Sequence, residues 1–257
     1  MTKESFSSLY EESTNSLVHQ IILSNGPVDR IPSHKIDKLK SEFIGDHTLW
    51  NEDMIIDLIK SNFDSNILDA FTSVKPLAFK ADLARYCILY VYGGWYFDLF
   101  VDLENHEALK NFEKDIEAIL FREIPVPPFG SVYSVVNTLF WFKNASHPIL
   151  ANLINSVASN INTKNYGQHP FDVTGPMVFG REIAKYQFDT PSNFLIGDCQ
   201  MMGSRPSHVF NTIDFDDPIV FSRRRSLNED ISKYVPTGYE KHPNNYYKMW
   251  FDRTIFN

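Results

Sequence analysis

KADLARYCILYVYGGWYFDLFVDL, residues 80–103, carries most of the information in this chain. Its first half extends an apolar run, LAFKADLARYCILYVY over 77–92, whose periodicity predicts a helix that Gly93-Gly94 terminate. On that helix Asp82, Arg85, Tyr86 and Leu89 share one face, and Leu83, Cys87, Tyr90 and Val91 form the more apolar face beside it. A carboxylate and a guanidinium one turn apart can hold several hydroxyls at fixed angles. The same spacing also suits an ordinary helix ion pair.

After the glycines, WYFDLFV (95–101) reads as a strand. Alternation sends Trp95, Phe97, Leu99 and Val101 one way, and Tyr96, Asp98, Phe100 and Asp102 the other. Asp98 in so apolar a stretch is costly unless its carboxylate is paired or binds a cation. Gly93-Gly94 permit a sharp corner, which brings Asp98 beside Asp82 and Arg85. A carboxylate at a strand end suits a hard divalent ion such as Mg²⁺ or Mn²⁺.

Working outward, LVHQIIL (17–23) reads as a buried strand ended by the turn Ser24-Asn25-Gly26-Pro27. Residues 52–61 carry a helical stripe capped by Asn51. Ala108–Ile119 reads as a helix, with Ala118–Phe121 turning into strand, and 122–134 as a proline-rich loop. VVNTLFWF (135–142) reads as a strand, Ile149–Val157 as a helix, and VTGPMVFGREIAKY as a turn leading into a helix. The C-terminal third looks looser, with a loop at 203–218. Alternating helices and short strands predict an α/β layer fold. At ~150 residues per domain, 257 residues predict one domain, 1–257, with a short helical N-terminal extension over 1–16.

Composition narrows the function. Hydrophobic residues make up 43% and charged residues 22%, which excludes disordered, collagen-like and coiled-coil chains. Two cysteines exclude a disulfide scaffold and a four-cysteine zinc site. A net charge of −8 argues against nucleic acid as a partner. No apolar run approaches the ~20 residues of a membrane span, and the polar start lacks a signal-peptide core. The expected compartment is the cytoplasm, and peripheral association with the inner membrane face stays open. There is no P-loop, dinucleotide fingerprint, nucleophile elbow or zinc-protease helix, so NAD enzymes, serine hydrolases and zinc proteases lose their prior.

The central stretch resembles the sugar-binding region, with its DXD motif, of family 32 glycosyltransferases, and is similar to the large clostridial glucosylating toxins. The pattern [SA]-D-[LI]-x-R-Y-x-x-L-x-x-x-G-G-x-Y-x-D-x-D is met by Ala81 to Tyr86, Leu89, Gly93-Gly94, Tyr96 and Asp98. Val18-His19-Gln20-Ile21 resembles the family's opening strand, and Thr48-Leu49-Trp50 the end of its second. Asn137 with His147-Pro148 resembles its middle, Thr174-Gly175-Pro176 its T-G-P turn, and Asn244 to Trp250 the tail of some bacterial members.

The resemblance implies a GT-A fold, a Rossmann-like mixed sheet flanked by helices, and a retaining transferase acting on a nucleotide-sugar donor. It implies a saccharide or lipid-linked saccharide acceptor, as in bacterial capsule or lipopolysaccharide assembly. Asp82 and Arg85 would bind donor-sugar hydroxyls, Tyr86 would pack beneath them, and Asp98 would contact ribose and metal. His19, Gln20, Ile21 and Trp50 would line the donor site with Gly93, Gly94 and Tyr96.

Phe100 stands where the second aspartate of the DXD motif belongs. Three readings follow: Asp102 substitutes through a bend after Asp98; Asp98 binds Mn²⁺ or Mg²⁺ with help from the tail; or no metal is used. His242, Asn244 and Asn245 are candidate late ligands or diphosphate contacts, and Trp250 a candidate cover for the leaving group. Gly175 is a candidate at the acceptor or diphosphate. Arg223-Arg224-Arg225 can neutralise a diphosphate, or form a solvated basic stretch. Phe129, Tyr133, Trp141, Tyr246 and Tyr247 are candidates for stacking on acceptor rings, or for the core. The missing aspartate also admits an impaired GT-A domain that binds nucleotide or sugar without transfer.

Overall fold

The computed structural model describes residues 17–24, 33–42, 46–99, 101–103, 116–123, 133–202, 207–212, 219–224 and 244–257. The proposed N-terminal helix, Phe100, most of the 122–134 loop, the 203–218 loop apart from its strand residues, Arg225 and His242 lie outside them.

The predicted opening strand is β1 (Val18–Ile21), followed by α1 (Ser33–Glu42) and β2 (His47–Trp50). α2 (Glu52–Asn62) begins where Asn51 accepts the Met54 N–H, as its sequence signal predicts. α3 (Ser65–Ser73) leads into α4 (Leu77–Tyr92), the long helix of the deciding stretch. Gly93 and Gly94, both at positive φ, turn the chain into β3 (Gly94–Phe97). A Cβ at Gly94 would fall 2.7 Å from the Leu17 carbonyl oxygen, so the corner packs directly on the chain entering β1.

β3 ends at Phe97, not at residue 101 as the alternation suggests. The Asp98 N–H still bonds the Thr138 carbonyl in the register of the β3–β6 pair, and the Val101 N–H then closes a turn onto the Asp98 carbonyl. β4 (Val101–Leu103) then joins the far edge of the sheet. The bend after Asp98 is therefore present.

β5 (Ala118–Arg122) forms where Ala118–Phe121 is expected to turn into strand, and the helix expected from Ala108 lies largely outside the described residues. β6 (Leu139–Phe142) is shorter than expected: ahead of it Val135 bridges Arg122 and the Val136 N–H bonds the Phe121 carbonyl, in a register shifted from the β5–β6 pair. α5 (Pro148–Asn162), α6 (Pro170–Val173) and α7 (Pro176–Asp189) follow. The C-terminal third is more regular than its sequence suggests: β7 (Phe194–Met202), β8 (Ser207–Thr212) and β9 (Ile219–Arg224) form an antiparallel meander. α8 (Tyr246–Phe251) closes the described chain.

The strands form one mixed sheet, ordered β2-β1-β3-β6-β5-β7-β8-β9-β4 among the described residues. β2, β1 and β3 run parallel, as do β5 and β7. The link from Phe97 to Val101 reaches at most ~14 Å, so the sheet must curl to bring β4 back beside β3. Alternation splits the core in two. Tyr96, Leu120, Phe140 and Phe142 face the helices α2 to α5 and α7, whereas Trp95, Phe97, Phe121 and Trp141 face the side that α1 covers through Leu39. The result is the expected α/β architecture, a mixed sheet flanked by helices.

Candidate functional site

Asp82 and Arg85 lie about one turn apart in the N-terminal half of α4, and the corner returns the chain so that Asp98, just past β3, reaches them. Arg85 Nη2 is 3.2 Å from Asp82 Oδ1, and Arg85 Nη1 is 3.2 Å from Asp98 Oδ1. The guanidinium lies over the Tyr96 ring, 4.5 Å from its centroid. Tyr96 donates its hydroxyl to Asp98 Oδ1 at 2.9 Å. The three charged side chains thus meet in one place. Their exposure is graded, 6% for Arg85, 13% for Asp82 and 23% for Asp98, so the cluster opens to solvent on its carboxylate side.

A second layer surrounds it. Asn137 donates to Asp82 Oδ1 at 2.9 Å, and its carbonyl accepts an Arg85 N–H. Thr174 donates its hydroxyl to Asp82 Oδ2 at 2.7 Å, and its carbonyl accepts the Tyr86 hydroxyl at 3.0 Å. Backbone fit brings these two segments in. A Cβ at Gly180 of α7 would fall 1.1 Å from the Tyr133 carbonyl oxygen, so only glycine lets the strand-like segment before Asn137 cross that helix.

Burial pushes the Asp82 carboxyl up to about 6, against the opposing pull of Arg85 and of the Thr174 and Asn137 hydrogen bonds. Burial works against the Arg85 charge, but Tyr96 and the two aspartates more than offset it, and the guanidinium is held more firmly protonated than usual. Burial raises the Tyr86 and Tyr96 hydroxyls, so both remain donors.

The other expected donor residues lie elsewhere. His19 is 3% exposed and accepts the Trp50 indole N–H at Nδ1, so Nε2 carries the hydrogen directed at the Gly93 carbonyl, 3.2 Å away. Gly93 lies about 16 Å along α4 from Asp82. His19 and Trp50 therefore brace the glycine corner, with Tyr92 against both rings. Gln20 points to the opposite sheet face and holds His47, and Ile21 is core.

In the tail, Asn244 accepts the Leu77 N–H at the start of α4, and Asn245 caps α8. Trp250 is buried, with its N–H on the Tyr166 carbonyl and Arg253 over its ring. Tyr247 joins His169 and Phe171, and a Cβ at Gly175 would lie 3.4 Å from Phe171 Cα and 3.6 Å from Asp82 Oδ2. The tail thus adjoins the cluster through α6. Asp102 and Arg223 are register partners across β4 and β9, which brings a candidate metal ligand opposite a candidate diphosphate contact. Among the stacking candidates Trp141 is core, Tyr133 is exposed, Tyr246 packs on Phe79, and Phe129 lies outside the described residues.

The residues fit a divalent ion in one respect. Among the described residues Asp98 Oδ2 has no protein partner, whereas Oδ1 is taken by Arg85 and Tyr96. A single carboxylate oxygen completed by substrate phosphates and water is an ordinary way to hold Mg²⁺. No group of three or more His, Cys, Asp or Glu side chains is gathered for a metal among the described residues.

Sequence reasoning quoted Asn137 and Thr174 as motif matches but gave them no role. The available signal was a polar residue inside the apolar run VVNTLFWF, which demands a partner once buried.

The model for the glycosyltransferase sugar-binding region containing the DXD motif matches residues 29–116, which include Asp82, Arg85 and Asp98. An uncharacterized glycosyltransferase of Acanthamoeba polyphaga mimivirus is 24% identical over 206 residues, spanning 76% of this chain and 73% of the relative. Inositol phosphoceramide mannosyltransferase 1 of Schizosaccharomyces pombe is 25% identical over 171 residues, 65% of this chain and 50% of the relative. The chain thus spans about three quarters of one curated relative and half of the other. Among solved structures, the PaToxG glycosyltransferase aligns with a TM-score of 0.45 and 14% identity, covering 72% of this chain and 78% of that one. No helix of the described residues is long and apolar enough to cross a membrane. Together the family region and the two relatives support a transferase of the glycosyltransferase type.

Proposed function

We propose that this chain is a GT-A glycosyltransferase, folded as one domain over 1–257, that moves a sugar from a nucleotide-sugar to an acceptor hydroxyl with retention of anomeric configuration. The observation that carries the reading is the convergence of Asp82, Arg85 and Asp98 in one partly exposed cluster just past the end of β3. Ligands in open α/β sheets bind beyond the carboxyl ends of parallel strands, and Asp98 lies just past that end of β3.

In this reading the carboxylates of Asp82 and Asp98 accept hydrogen bonds from donor hydroxyls. Arg85 sets their spacing and supplies positive charge beside the breaking bond. The bond from the anomeric carbon to the diphosphate oxygen breaks as the acceptor oxygen bonds to that carbon from the same face. The acceptor proton passes to the departing phosphate. A Mg²⁺ or Mn²⁺ ion at Asp98 Oδ2 would neutralise charge on the diphosphate. Arg223 and the tail residues Asn245 and Trp250 stand as further candidates near the diphosphate or acceptor.

The acceptor proposed is a saccharide or lipid-linked saccharide, with bacterial surface-polysaccharide assembly at the inner membrane face as the setting. The mannosyltransferase relative favours a second version, with mannose as the sugar and a phosphoinositol-bearing lipid as the acceptor. Incubation with UDP- and GDP-hexoses and saccharide acceptors, followed by NMR of the product anomeric centre, tests the proposal. A product with the donor's configuration supports it, and an inverted product overturns the retaining mechanism.

A further inference from the structure

Asp82 is held by side chains that the donor reading leaves without a task. Thr174 is fully buried and Asn137 nearly so, so water does not compete for their hydrogen bonds. Asn137 takes Asp82 Oδ1 from one side, where Arg85 also lies, and stands 3.1 Å from the Tyr86 hydroxyl. Thr174 takes Oδ2 alone among the described residues. A carboxylate offers about four acceptor positions. Oδ1 is therefore occupied by protein, while Oδ2 keeps capacity for one more donor.

The residue after Thr174 bears on the same oxygen. A Cβ at Gly175 would stand 3.6 Å from Oδ2, an ordinary contact distance, and Gly175 has φ −99°, which any residue adopts. No packing clash requires glycine here, in contrast with Gly94 and Gly180. The lack of a side chain leaves the approach to Asp82 Oδ2 uncovered.

We infer that Thr174 and Asn137 are positioning residues that aim Asp82 Oδ2 at a single hydroxyl of the transferred sugar, and that Gly175 keeps that oxygen open. The inference rests on the donor reading above and deepens it. It assigns sugar recognition to one oxygen atom and separates it from recognition of the nucleotide.

Isothermal titration of wild type, Thr174→Val, Thr174→Ser and Gly175→Ala with UDP- and GDP-hexoses, and with UDP and GDP alone, tests it. Thermal unfolding of each variant is read alongside. The best-binding sugar nucleotide should weaken about 10-fold in Thr174→Val and in Gly175→Ala, the scale of one hydrogen bond to a charged group. The matching free nucleoside diphosphate should bind all four proteins alike. Thr174→Ser should recover most of the loss. Equal weakening of sugar nucleotide and free diphosphate, or no weakening of either, overturns the inference while leaving the donor reading in place. A wild type that binds no sugar nucleotide more tightly than its free diphosphate overturns the donor reading itself. Gly175→Ala keeps the test decisive should Thr174→Val fail to fold.

Discussion

In its N-terminal half α4 carries Asp82 and Arg85, and just past its last turn comes the Gly93 carbonyl, held by His19. Both ends bury polar groups, and they do so under opposite rules. At the corner every group is neutral: His19 is pushed down to about 4 by burial, accepts from Trp50 and donates to Gly93. At the other end two carboxylates meet a buried guanidinium as ion pairs, with the carboxylates partly exposed. A buried neutral hydrogen-bonded relay fixes geometry cheaply, whereas a buried ionic cluster is a poor source of stability and a good source of binding contrast. The corner therefore builds the site and the cluster uses it.

The largest effect expected is at the corner. Gly94→Ala must place a Cβ 2.7 Å from the Leu17 carbonyl oxygen at a positive φ, and should cost upwards of about 3 kcal/mol in urea unfolding. A loss below 1 kcal/mol, on the scale of an ordinary surface substitution, would show that the corner is not the rigid element.

Acid separates the two ends by sign. His19 ordinarily titrates at 6.5 and in the fold at about 4, so between these values only the unfolded chain takes the proton. Stability from His19 therefore falls as pH drops through that window, by roughly 3 kcal/mol. Asp82 ordinarily titrates at 3.8 and in the fold at about 6, so there the folded chain takes the proton and stability rises as pH drops. The two contributions oppose. Asp82→Asn should lose roughly 3 kcal/mol more than wild type between pH 7 and pH 4, and His19→Gln should lose less than wild type. Identical pH slopes in the three proteins would remove the contrast.

Catalysis adds a second reading of Asp82. If its ionised form binds the sugar, turnover should fall as pH drops below about 6, the value at which the carboxyl takes its proton. Asp82→Asn should then lose on the order of 100-fold in turnover at neutral pH and show a flat acid limb. The smallest effect belongs to Tyr86→Phe, which removes the hydroxyl shared by Asn137 and Thr174. It should cost about 1 kcal/mol of stability, measured by thermal unfolding.

What the sequence disclosed follows from how local each signal is. α4, its glycine corner and the Asn51 cap are written in neighbouring residues, and each is found where the pattern puts it. The alternation of Trp95, Tyr96 and Phe97 between two cores is equally local. The end of β3 is hidden by an apolar alternation that runs on to residue 101, although the chain turns where Asp98 accepts the Val101 N–H. The meander of β7 to β9 escaped notice because FLIGDCQMM has no clean alternation, and its pairing is set by distant strands. His19 was legible as buried strand but not as a brace for Gly93, a contact spanning 74 residues. Thr174 and Asn137 meet Asp82 only because Gly180 lets two segments cross, and no spacing rule foretells that.

The most direct test of the central claim is calorimetric titration of wild type and Asp98→Ala with the same sugar nucleotides, in the presence and absence of Mn²⁺. The account predicts that wild type binds one of them and that Asp98→Ala loses both that binding and turnover. Unchanged donor binding and turnover in Asp98→Ala would contradict it.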